Sequence, residues 1–192
     1  MAHQDADQLA AGLDAIRAAP ASAGTVEMIV RRPVVDGREV VEEGLLTADE
    51  GLVGDYWRAR GSESMPGGAA DPDRQLTVMG SRVIDLLAGG DRTAWPLAGD
   101  QLYVDLDLGI ANLPAGTQLA VGDAVIEVTE PAHTGCAKFR ARFGSDALRF
   151  VNSPEGRALR LRGLNARVVR PGTIRRGDAV LRLPPTRGAG QS

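Results

Sequence analysis

The sequence contains one cysteine, Cys136, and Lys138 is the only lysine among its 22 basic residues. A single cysteine cannot form a disulfide within the chain, so the fold has to rest on apolar packing, and 43% of the residues are hydrophobic. One cysteine and two histidines also cannot supply a structural zinc site or an iron–sulfur cluster. Any Schiff-base chemistry would have to use Lys138.

Other absences narrow the class of protein further. No apolar run approaches the roughly 18 residues of a membrane span. The acidic segment 1–7 lacks the features of a secretory signal. The net charge of −3 is unlike the clustered basic surface of nucleic-acid-binding proteins. We therefore expect a cytoplasmic protein that binds neither membrane nor nucleic acid.

Three common catalytic or nucleotide-binding motifs are missing as well. The chain has no Gly-x-x-x-x-Gly-Lys or Gly-x-Gly-x-x-Gly segment, which argues against the usual nucleotide cradles. It also has no Gly-x-Ser-x-Gly elbow of the serine hydrolases.

The first half of the chain shows helix and strand patterns in turn. Leu9, Leu13 and Ile16 predict an amphipathic helix over residues 3–18. The β-branched residues of segment 25–30 and the apolar segment 75–79 predict strands, and Ser81 could cap a helix that runs through Leu87. The Gly- and Pro-rich segment 60–73 predicts a mobile loop that could act as a lid.

Beyond residue 100 the pattern is that of β structure. Residues 102–108 alternate, with leucine or valine at each even position, which predicts a half-buried strand. Segments 118–121 and 124–129 flank the turn Gly122-Asp123 and predict a hairpin, and segments 166–169 and 179–183 predict a second. Ser145 and Ser153 are placed to cap two short helices. Short strands with small helices predict a mostly β fold, a barrel or a sandwich.

The division of the chain follows from these patterns. We expect an N-terminal helix and linker over residues 1–24, a single β domain over residues 25–183, and a flexible tail over residues 184–192.

The segment 130–139 carries the most chemistry. It follows a predicted strand, whose ladder Pro131 cannot continue, and Gly135 frees the backbone before Cys136. A tight turn should present the thiol with His133 and Lys138 nearby, and cationic groups favour the reactive thiolate. The alternative is that Cys136 is a small buried apolar residue.

The sequence leaves open the roles of two sets of charged residues. Asp105 and Asp107 lie on the polar face of the predicted strand 102–108, where a solvated face is the simplest interpretation. The basic residues Lys138, Arg140 and Arg142 alternate with apolar ones, so they could contact a phosphate or face water.

Several motifs in register over residues 95–183 resemble the MOSC family, named for the C-terminal domain of molybdenum-cofactor sulfurase. The matching segments are Pro96-Leu97-Ala98-Gly99-Asp100-Gln101-Leu102, Leu113-Pro114-Ala115-Gly116-Thr117-Gln118-Leu119, Val121-Gly122-Asp123-Ala124, Thr129-Glu130-Pro131 with Gly135-Cys136, and Arg167-Val168-Val169-Arg170-Pro171-Gly172 with Gly177-Asp178. Gly54-Asp55 and segment 75–79 extend the resemblance toward the N-terminus.

The resemblance implies a β-barrel-like fold with Cys136 at a cleft. In the family this cysteine either ligates molybdenum in a pterin cofactor or carries sulfur as a persulfide, and both roles suit a thiolate. Members that hold the cofactor reduce N-hydroxylated compounds with electrons from a separate donor protein. The resemblance assigns Cys136 to the site as the catalytic and metal-binding residue. We further expect His133 as a catalytic group, and Asp100, Gln101, Thr134, Gly135, Lys138 and Arg140 as cofactor-binding groups.

Some residues depart from the family pattern. Asp100-Gln101 replaces a Glu-Asn pair, Tyr103 stands where threonine is common, and His133-Thr134-Gly135 replaces an Arg-x-Pro segment. A non-catalytic binding or regulatory module that kept the barrel is therefore an alternative to a molybdenum-cofactor reductase or a sulfur carrier. Pyridoxal phosphate on Lys138 is disfavoured, since nothing around it suggests a pyridinium partner. The sequence specifies neither the substrate nor the oligomeric state.

Overall fold

A computed structural model describes residues 3–63 and 65–185. Within these residues the strands are β1 (Ala23–Arg31), β2 (Glu39–Val41), β3 (Glu43–Thr47), β4 (Gly51–Leu52), β5 (Leu76–Gly80), β6 (Leu102–Asp105), β7 (Gln118–Val121), β8 (Ala124–Val128), β9 (Leu164–Arg170), β10 (Gly172–Arg175) and β11 (Ala179–Arg182). The helices are α1 (Ala6–Ala11), α2 (Leu13–Arg17), α3 (Trp57–Arg60), α4 (Ser81–Leu87), α5 (Ala137–Asn152) and α6 (Pro154–Ala158), with short 3₁₀ helices at Pro66–Gly68, Pro72–Arg74 and Arg92–Ala98.

Seven strands close into a barrel in the order β11-β7-β8-β9-β5-β6-β1, because β1 also pairs with β11. Strand β2 extends the sheet beside β1, and β10, β3 and β4 form a separate small sheet. All barrel pairs are antiparallel except β5 with β6. The parallel pair requires a crossover, which α4 and the 3₁₀ helix Arg92–Ala98 provide. The expected mostly β, barrel-like fold is confirmed.

The alternation over residues 102–108 decides which side chains fill the barrel. The four even-numbered leucine and valine residues belong to one buried cluster. Each fully buried leucine contributes roughly 1.5–3 kcal/mol relative to an exposed one. Tyr103, on the opposite face, is also fully buried, and its hydroxyl donates to the carbonyl of Trp95 at 2.8 Å. The regular strand β6 ends at Asp105, although the side-chain alternation continues.

The helices cover the outside of the barrel. Leu9 and Ile16 are buried in a second cluster that also contains Phe139 and Phe143 of α5. The predicted N-terminal helix is two helices separated at Gly12. The 60–73 segment contains short 3₁₀ turns.

Several local predictions need correction. The strands near the C-terminus are not a second hairpin, because β9 pairs with β8 and β5, whereas β11 pairs with β7 and β1. Between them, β10 crosses to the small sheet and pairs with β3. The pattern also gave no prediction of β2, β3 or β4.

The helix caps are partly as predicted. Helix α4 spans Ser81–Leu87, but Gly80 is its N-cap residue and Ser81 lies inside the helix. The side chain of Ser153 caps α6 by accepting from the backbone N–H of Gly156. Gly144, with a non-helical φ of 94° and ψ of 171°, divides α5 into two helical segments, and the second begins beside Ser145 as predicted. Of the predicted tail, residues 186–192 lie outside the described residues.

None of the helices in the described part of the chain is both long and apolar enough to cross a bilayer.

Candidate functional site

A cleft of about 410 Å³ lies where the segments that follow β1 and β8 meet those that precede β5, β6 and β9. Cys136 and His133 line it. Among its described lining residues Asp36 is the only carboxylate, whereas seven are cationic: Arg32, Arg38, Arg60, Arg74, Lys138, Arg142 and Arg162. Such a concentration of positive charge in a concave site attracts anions. We call this space the cationic cleft.

The loop between β8 and α5 is fixed to the barrel at several points. The hydroxyl of Thr129 donates to the carbonyl of Asp73 at 2.5 Å. The side-chain amide of Asn165 donates to the carbonyl of Pro131 at 2.9 Å. Because these bonds hold the backbone before Cys136, the thiol is presented from an anchored loop.

Gly135 is held directly by Asn152, near the C-terminal end of α5. The amide of Asn152 accepts from the Gly135 N–H at 3.0 Å and donates to the Gly135 carbonyl at 3.2 Å. A Cβ at this position would lie 2.8 Å from Leu148 and 3.1 Å from Val151. Any other residue at this position would push the side chain of Leu148 aside, so glycine favours the close approach of the loop to the helix.

Cys136 is the N-cap residue of α5 and is exposed. In the helix that follows, residues four apart share a face. Phe139 and Phe143 form the buried face, with ring centroids 5.0 Å apart, whereas Lys138 and Arg142 line the cationic cleft. The basic and apolar residues of this segment alternate in sequence, but in the structure they lie on separate faces of a helix.

Lys138 and Arg142 share one counter-ion, Asp36, from the loop between β1 and β2. Nζ of Lys138 and Nη2 of Arg142 lie 3.1 and 3.0 Å from the same carboxylate oxygen. Asp36 has a φ of 58°, a left-handed conformation that is uncommon for residues other than glycine. Hydrogen bonding and charge from Lys138, together with the charge of Arg142, lower the pKa of Asp36. The Asp36 carboxylate thus pairs with Lys138 and Arg142, two cations that an incoming anion would otherwise contact.

Arg38 adds positive charge that no carboxylate balances within residues 3–63 and 65–185. Its guanidinium donates to the backbone carbonyls of Pro96 and Gly37. Burial, and then the charges of Arg142 and Arg32, lower its pKa below the usual value of an arginine. Because arginine stays protonated even so, Arg38 is a cation held near two others, and a bound anion would relieve that repulsion.

Beneath the cationic cleft, Asp100 joins His133 to Arg162. Its carboxylate lies 2.9 Å from Nε2 of His133 and 2.6 Å from Nη1 of Arg162. Asp100 is fully buried and the Arg162 side chain is only 7% exposed. Burial acts to raise the pKa of Asp100, but Arg162 and His133 outweigh it and lower the pKa. Asp100 therefore remains a carboxylate at neutral pH.

His133 is neutral at the same pH. Its burial, and then the charge of Arg162, lower its pKa below 6.5, although Asp100 acts in the opposite direction. A neutral imidazole beside a carboxylate must donate its Nε2 hydrogen, which leaves Nδ1 as an acceptor. No hydrogen bond to Nδ1 occurs among the described residues. His133 can therefore accept a proton or a hydrogen bond from a ligand.

A second buried ion pair supports the wall of the cleft. Arg32 forms a two-pronged contact with Asp55, with N–O distances of 2.7 and 2.9 Å, and donates to the carbonyl of Gly99 at 2.9 Å. Asp55 also accepts from the backbone N–H groups of Arg32 and Trp57. The planar guanidinium suits this geometry, so the pair links the end of β1 to the segment before Asp100.

The other predicted site residues occupy different places. Gln101 is fully buried, and its side chain bonds to Thr77 and to the carbonyl of Gln75, so it joins β5 to β6. Asp100 lies beneath the cleft, not among its lining residues. Thr134 is exposed and lines a neighbouring cavity, and Arg140 is exposed and is not among the residues that line the cleft. The structure thus groups Cys136, His133, Asp100 and Lys138, and leaves Gln101, Thr134 and Arg140 outside.

Sequence reasoning missed much of the site. It did not pair Arg142 with Asp36, and it did not single out Arg32, Asp36, Arg38, Arg60, Arg74, Asn152 or Arg162. They come from separate segments that only the closed barrel brings together. The one available signal was Gly54-Asp55, which the family resemblance included.

The donor set limits which metal this site could hold. No group of three or more His, Cys, Asp or Glu residues in the described part of the chain is arranged around a common point. A hard or tetrahedral cation would therefore lack ligands. A single exposed thiol in a cationic cleft instead suits a thiophilic metal whose other ligands belong to an anionic cofactor.

Comparisons with known proteins identify the family and support the fold. The sequence profile of the MOSC domain family matches residues 70–181, which is more than half of the chain. No curated protein sequence matches the chain significantly.

Among solved structures, the YUAD protein from Bacillus subtilis superposes with a TM-score of 0.61 at 15% identity, over 82% of this chain and 94% of that one. YiiM from Escherichia coli gives 0.54 at 20% identity, over 83% and 70%. YiiM from Geobacillus stearothermophilus gives 0.52 at 14% identity, over 88% and 76%. At these identities the structural likeness shows the fold alone.

Proposed function

This chain belongs to the MOSC domain family, and we propose that its cationic cleft binds a phosphate-bearing molybdenum pterin cofactor through Cys136, for the reduction of N-hydroxylated compounds. The observation that carries the proposal is the exposed thiol of Cys136 in a cleft with seven cationic residues and one carboxylate among its described lining residues.

The residues present fit such a cofactor. A thiolate is the kind of soft ligand that molybdenum takes, and arginine and lysine are the usual partners of phosphate. In this assignment Cys136 ligates the metal, and Lys138, Arg142 and Arg38 contact the phosphate. When bound, the cofactor would supply a two-electron redox centre.

The protein's own groups have two tasks in this proposal. Asp100 orients His133 through Nε2 and keeps the imidazole in the tautomer whose Nδ1 is an acceptor. Nδ1 could then accept a hydrogen bond from the N–OH group of a substrate. Electrons would come from a separate donor protein, since one cysteine cannot hold an iron–sulfur cluster.

A second candidate is a sulfur carrier in which Cys136 holds a persulfide. The exposure of the thiol favours it, because a sulfur acceptor has to reach the terminal sulfur atom. Lys138 and the arginines of the cleft would stabilise the persulfide anion. The third alternative, a binding or regulatory module without catalysis, predicts that Cys136 has neither role.

The deciding experiment measures molybdenum by elemental mass spectrometry in protein from a host that makes the cofactor. Wild type, Cys136→Ser and the control Thr134→Ala, an exposed residue of the same loop, are compared. We expect near-stoichiometric molybdenum in wild type and the control, and loss of it in Cys136→Ser. A folded wild type without molybdenum would overturn the reductase proposal. Cyanide-releasable sulfur that disappears in Cys136→Ser would then support the carrier, and its absence would leave the binding module.

A further inference from the structure

A second cavity, of about 270 Å³, adjoins the cationic cleft. His133 and Arg162 are the two described residues that line both spaces. The remaining walls of the second cavity come from the loop after β8, the end of α5, the segment from α6 to β9, and Ile110. Cys136 lines the cleft and is not among the residues around this cavity, which we call the rear pocket.

The walls of the rear pocket differ in chemistry from those of the cleft. They combine an apolar surface with a few charged groups, as small-molecule sites generally do. The apolar residues are Ile110, Pro131, Ala132, Val151 and Leu164. Ile110 is 50% exposed at the rim, although its backbone is fixed by a 2.9 Å hydrogen bond to the carbonyl of Ala158. An ordered, exposed isoleucine at a cavity rim offers an apolar contact to a ligand.

The charged residues of the rear pocket favour an anion. Arg157 and Arg160 line it and have no carboxylate partner in the described part of the chain, and Glu130 is its one acidic lining residue. Arg160 is half-buried and donates only to the carbonyls of Leu113, at 2.6 Å, and Leu108, at 3.4 Å. Burial therefore lowers its pKa without a neighbouring carboxylate to offset the effect.

One further observation points to a ligand at this wall. The φ of 48° at Arg160 is not such an observation, because it belongs to the turn that ends α6, in which the N–H of Leu161 donates to the carbonyl of Gly156 at 2.8 Å. Arg162 is more than nine-tenths buried, yet its Nε finds no partner among the described residues. The wall shared by the two spaces thus has a hydrogen-bond donor still to be satisfied.

From these features we propose that the rear pocket binds a small organic carboxylate with an apolar body of about one ring. The volume is slightly below the roughly 300 Å³ at which sites for drug-sized ligands begin. The apolar body would lie against Ile110 and Val151, and the carboxylate would face Arg160. Such a ligand meets His133 and Arg162 from the side that Cys136 does not line. This inference does not depend on molybdenum, because the pocket is formed by the protein alone.

The ligand would also be coupled to the cationic cleft. A carboxylate near Arg162 and His133 changes the charge on the wall that both spaces share, so binding in one space alters affinity in the other. A negative charge beside His133 favours its protonated form. We therefore expect the midpoint of the His133 titration to rise when the rear pocket is filled.

The test uses benzoate and isovalerate as probes and benzyl alcohol as the neutral analogue of benzoate. Binding is followed by NMR on the metal-free protein. Ala132→Trp places a large side chain at an exposed position on the pocket wall, and Ala141→Trp, at an exposed position of α5 outside both cavities, is the matched control. Arg160→Gln tests the charge, although it also loosens the loop that Arg160 anchors.

We expect saturable benzoate binding. It should weaken about tenfold or more in Arg160→Gln, as the loss of a charge-assisted hydrogen bond implies, and at least as much in Ala132→Trp, whose side chain would fill the pocket. Ala141→Trp should bind like wild type, benzyl alcohol about tenfold more weakly than benzoate, and the His133 midpoint should rise. No saturable binding of either carboxylate, or equal binding by Ala132→Trp, would overturn the proposal. Because molybdenum content is measured separately, either proposal can fail without the other.

Discussion

The side-chain amide of Asn152 forms two hydrogen bonds with the backbone of Gly135, which lies just before the helix that Asn152 ends. One side chain therefore satisfies both polar groups of a loop residue adjacent to Cys136. The helix and the loop that precedes it are fastened together, and the direction of the thiol depends on a residue sixteen positions later in the chain.

Replacing Asn152 with alanine should destabilise the protein and loosen the loop. Both polar groups of the partly buried Gly135 lose their partners, which costs about 1–3 kcal/mol of unfolding free energy. Urea unfolding measures that cost, and the rate of Cys136 alkylation by iodoacetamide reports the loop. Thr134→Ala, in the same loop, removes no hydrogen bond and should change neither quantity. Equal effects of the two substitutions would show that the amide does not hold the loop.

Arg162→Met should be among the most destabilising substitutions in the site. It leaves the fully buried Asp100 without its guanidinium partner, and breaking a buried pair from one side typically costs about 3–5 kcal/mol. The exposed Arg140→Met, which removes no ion pair among the described residues, is the control and should cost little.

A double substitution separates the effect of charge from that of packing at the buried pair of Asp100 and Arg162. Asp100→Asn removes the buried charge but keeps an oxygen that can accept from His133. Arg162→Met combined with Asp100→Asn should therefore be more stable than Arg162→Met alone. If the costs of the two single substitutions simply add, the pair is not coupled, and the assignment of Arg162 as the main partner of Asp100 is wrong.

The barrel could be predicted from the sequence to the extent that its signals are local. The even positions from Leu102 to Leu108 enter the core and Gly122-Asp123 turns the hairpin, because period-two alternation and turn residues depend on near neighbours. The start of α5 could not be predicted in this way. Cysteine is not a favoured N-cap, and the basic and apolar residues that follow Cys136 fit a strand as well as a helix.

The candidate site was predictable only where its residues lie in one segment. Cys136, His133 and Lys138 belong to one loop and helix, and the family resemblance added Asp100. Arg32 and Arg162 come from opposite ends of the chain, and they meet the site only because β1 and β9 lie in one closed sheet. Nothing local distinguishes them from the other arginines, so their role required the tertiary structure.

Asp36→Asn should raise the affinity of the cationic cleft for phosphate anions. The carboxylate competes with any such ligand for Lys138 and Arg142, and exposed ion pairs of this kind are weak enough for an anion to displace. We expect inorganic pyrophosphate to bind about threefold to tenfold more tightly, by calorimetry at low salt. The gain should shrink as salt is added.

Asp49→Asn is the matched control for this competition. It makes the same change of net charge at an exposed position that is not among the residues lining the cleft. It should leave pyrophosphate binding nearly unchanged. Weaker binding by Asp36→Asn would mean that Asp36 positions Lys138 and Arg142 for the anion, and does not compete with it.

The lowered pKa of His133 makes a prediction about stability and pH. Below about pH 6.5 the histidine of the unfolded chain takes up a proton that the folded protein resists, since burial and Arg162 keep His133 neutral. The unfolded state then binds more protons, so the unfolding free energy falls as the pH falls from 7 toward 5. Protonation of Asp100 lowers the unfolding free energy further only below about pH 3.8, because the pKa of Asp100 is lowered from that value in the folded protein.

His133→Gln should flatten the change in stability between pH 7 and 5, even though it removes the bond to Asp100 at every pH. Urea unfolding in a His3→Gln background isolates the effect, because His133 is then the only histidine left. NMR titration of that single imidazole gives its midpoint directly, and we expect a value below 6.5. A midpoint at or above 6.5 would mean that the attraction of Asp100 outweighs burial and Arg162. His133 would then be a proton donor near neutral pH, and Nδ1 would not serve as the acceptor on which the proposed hydrogen bond to the substrate depends.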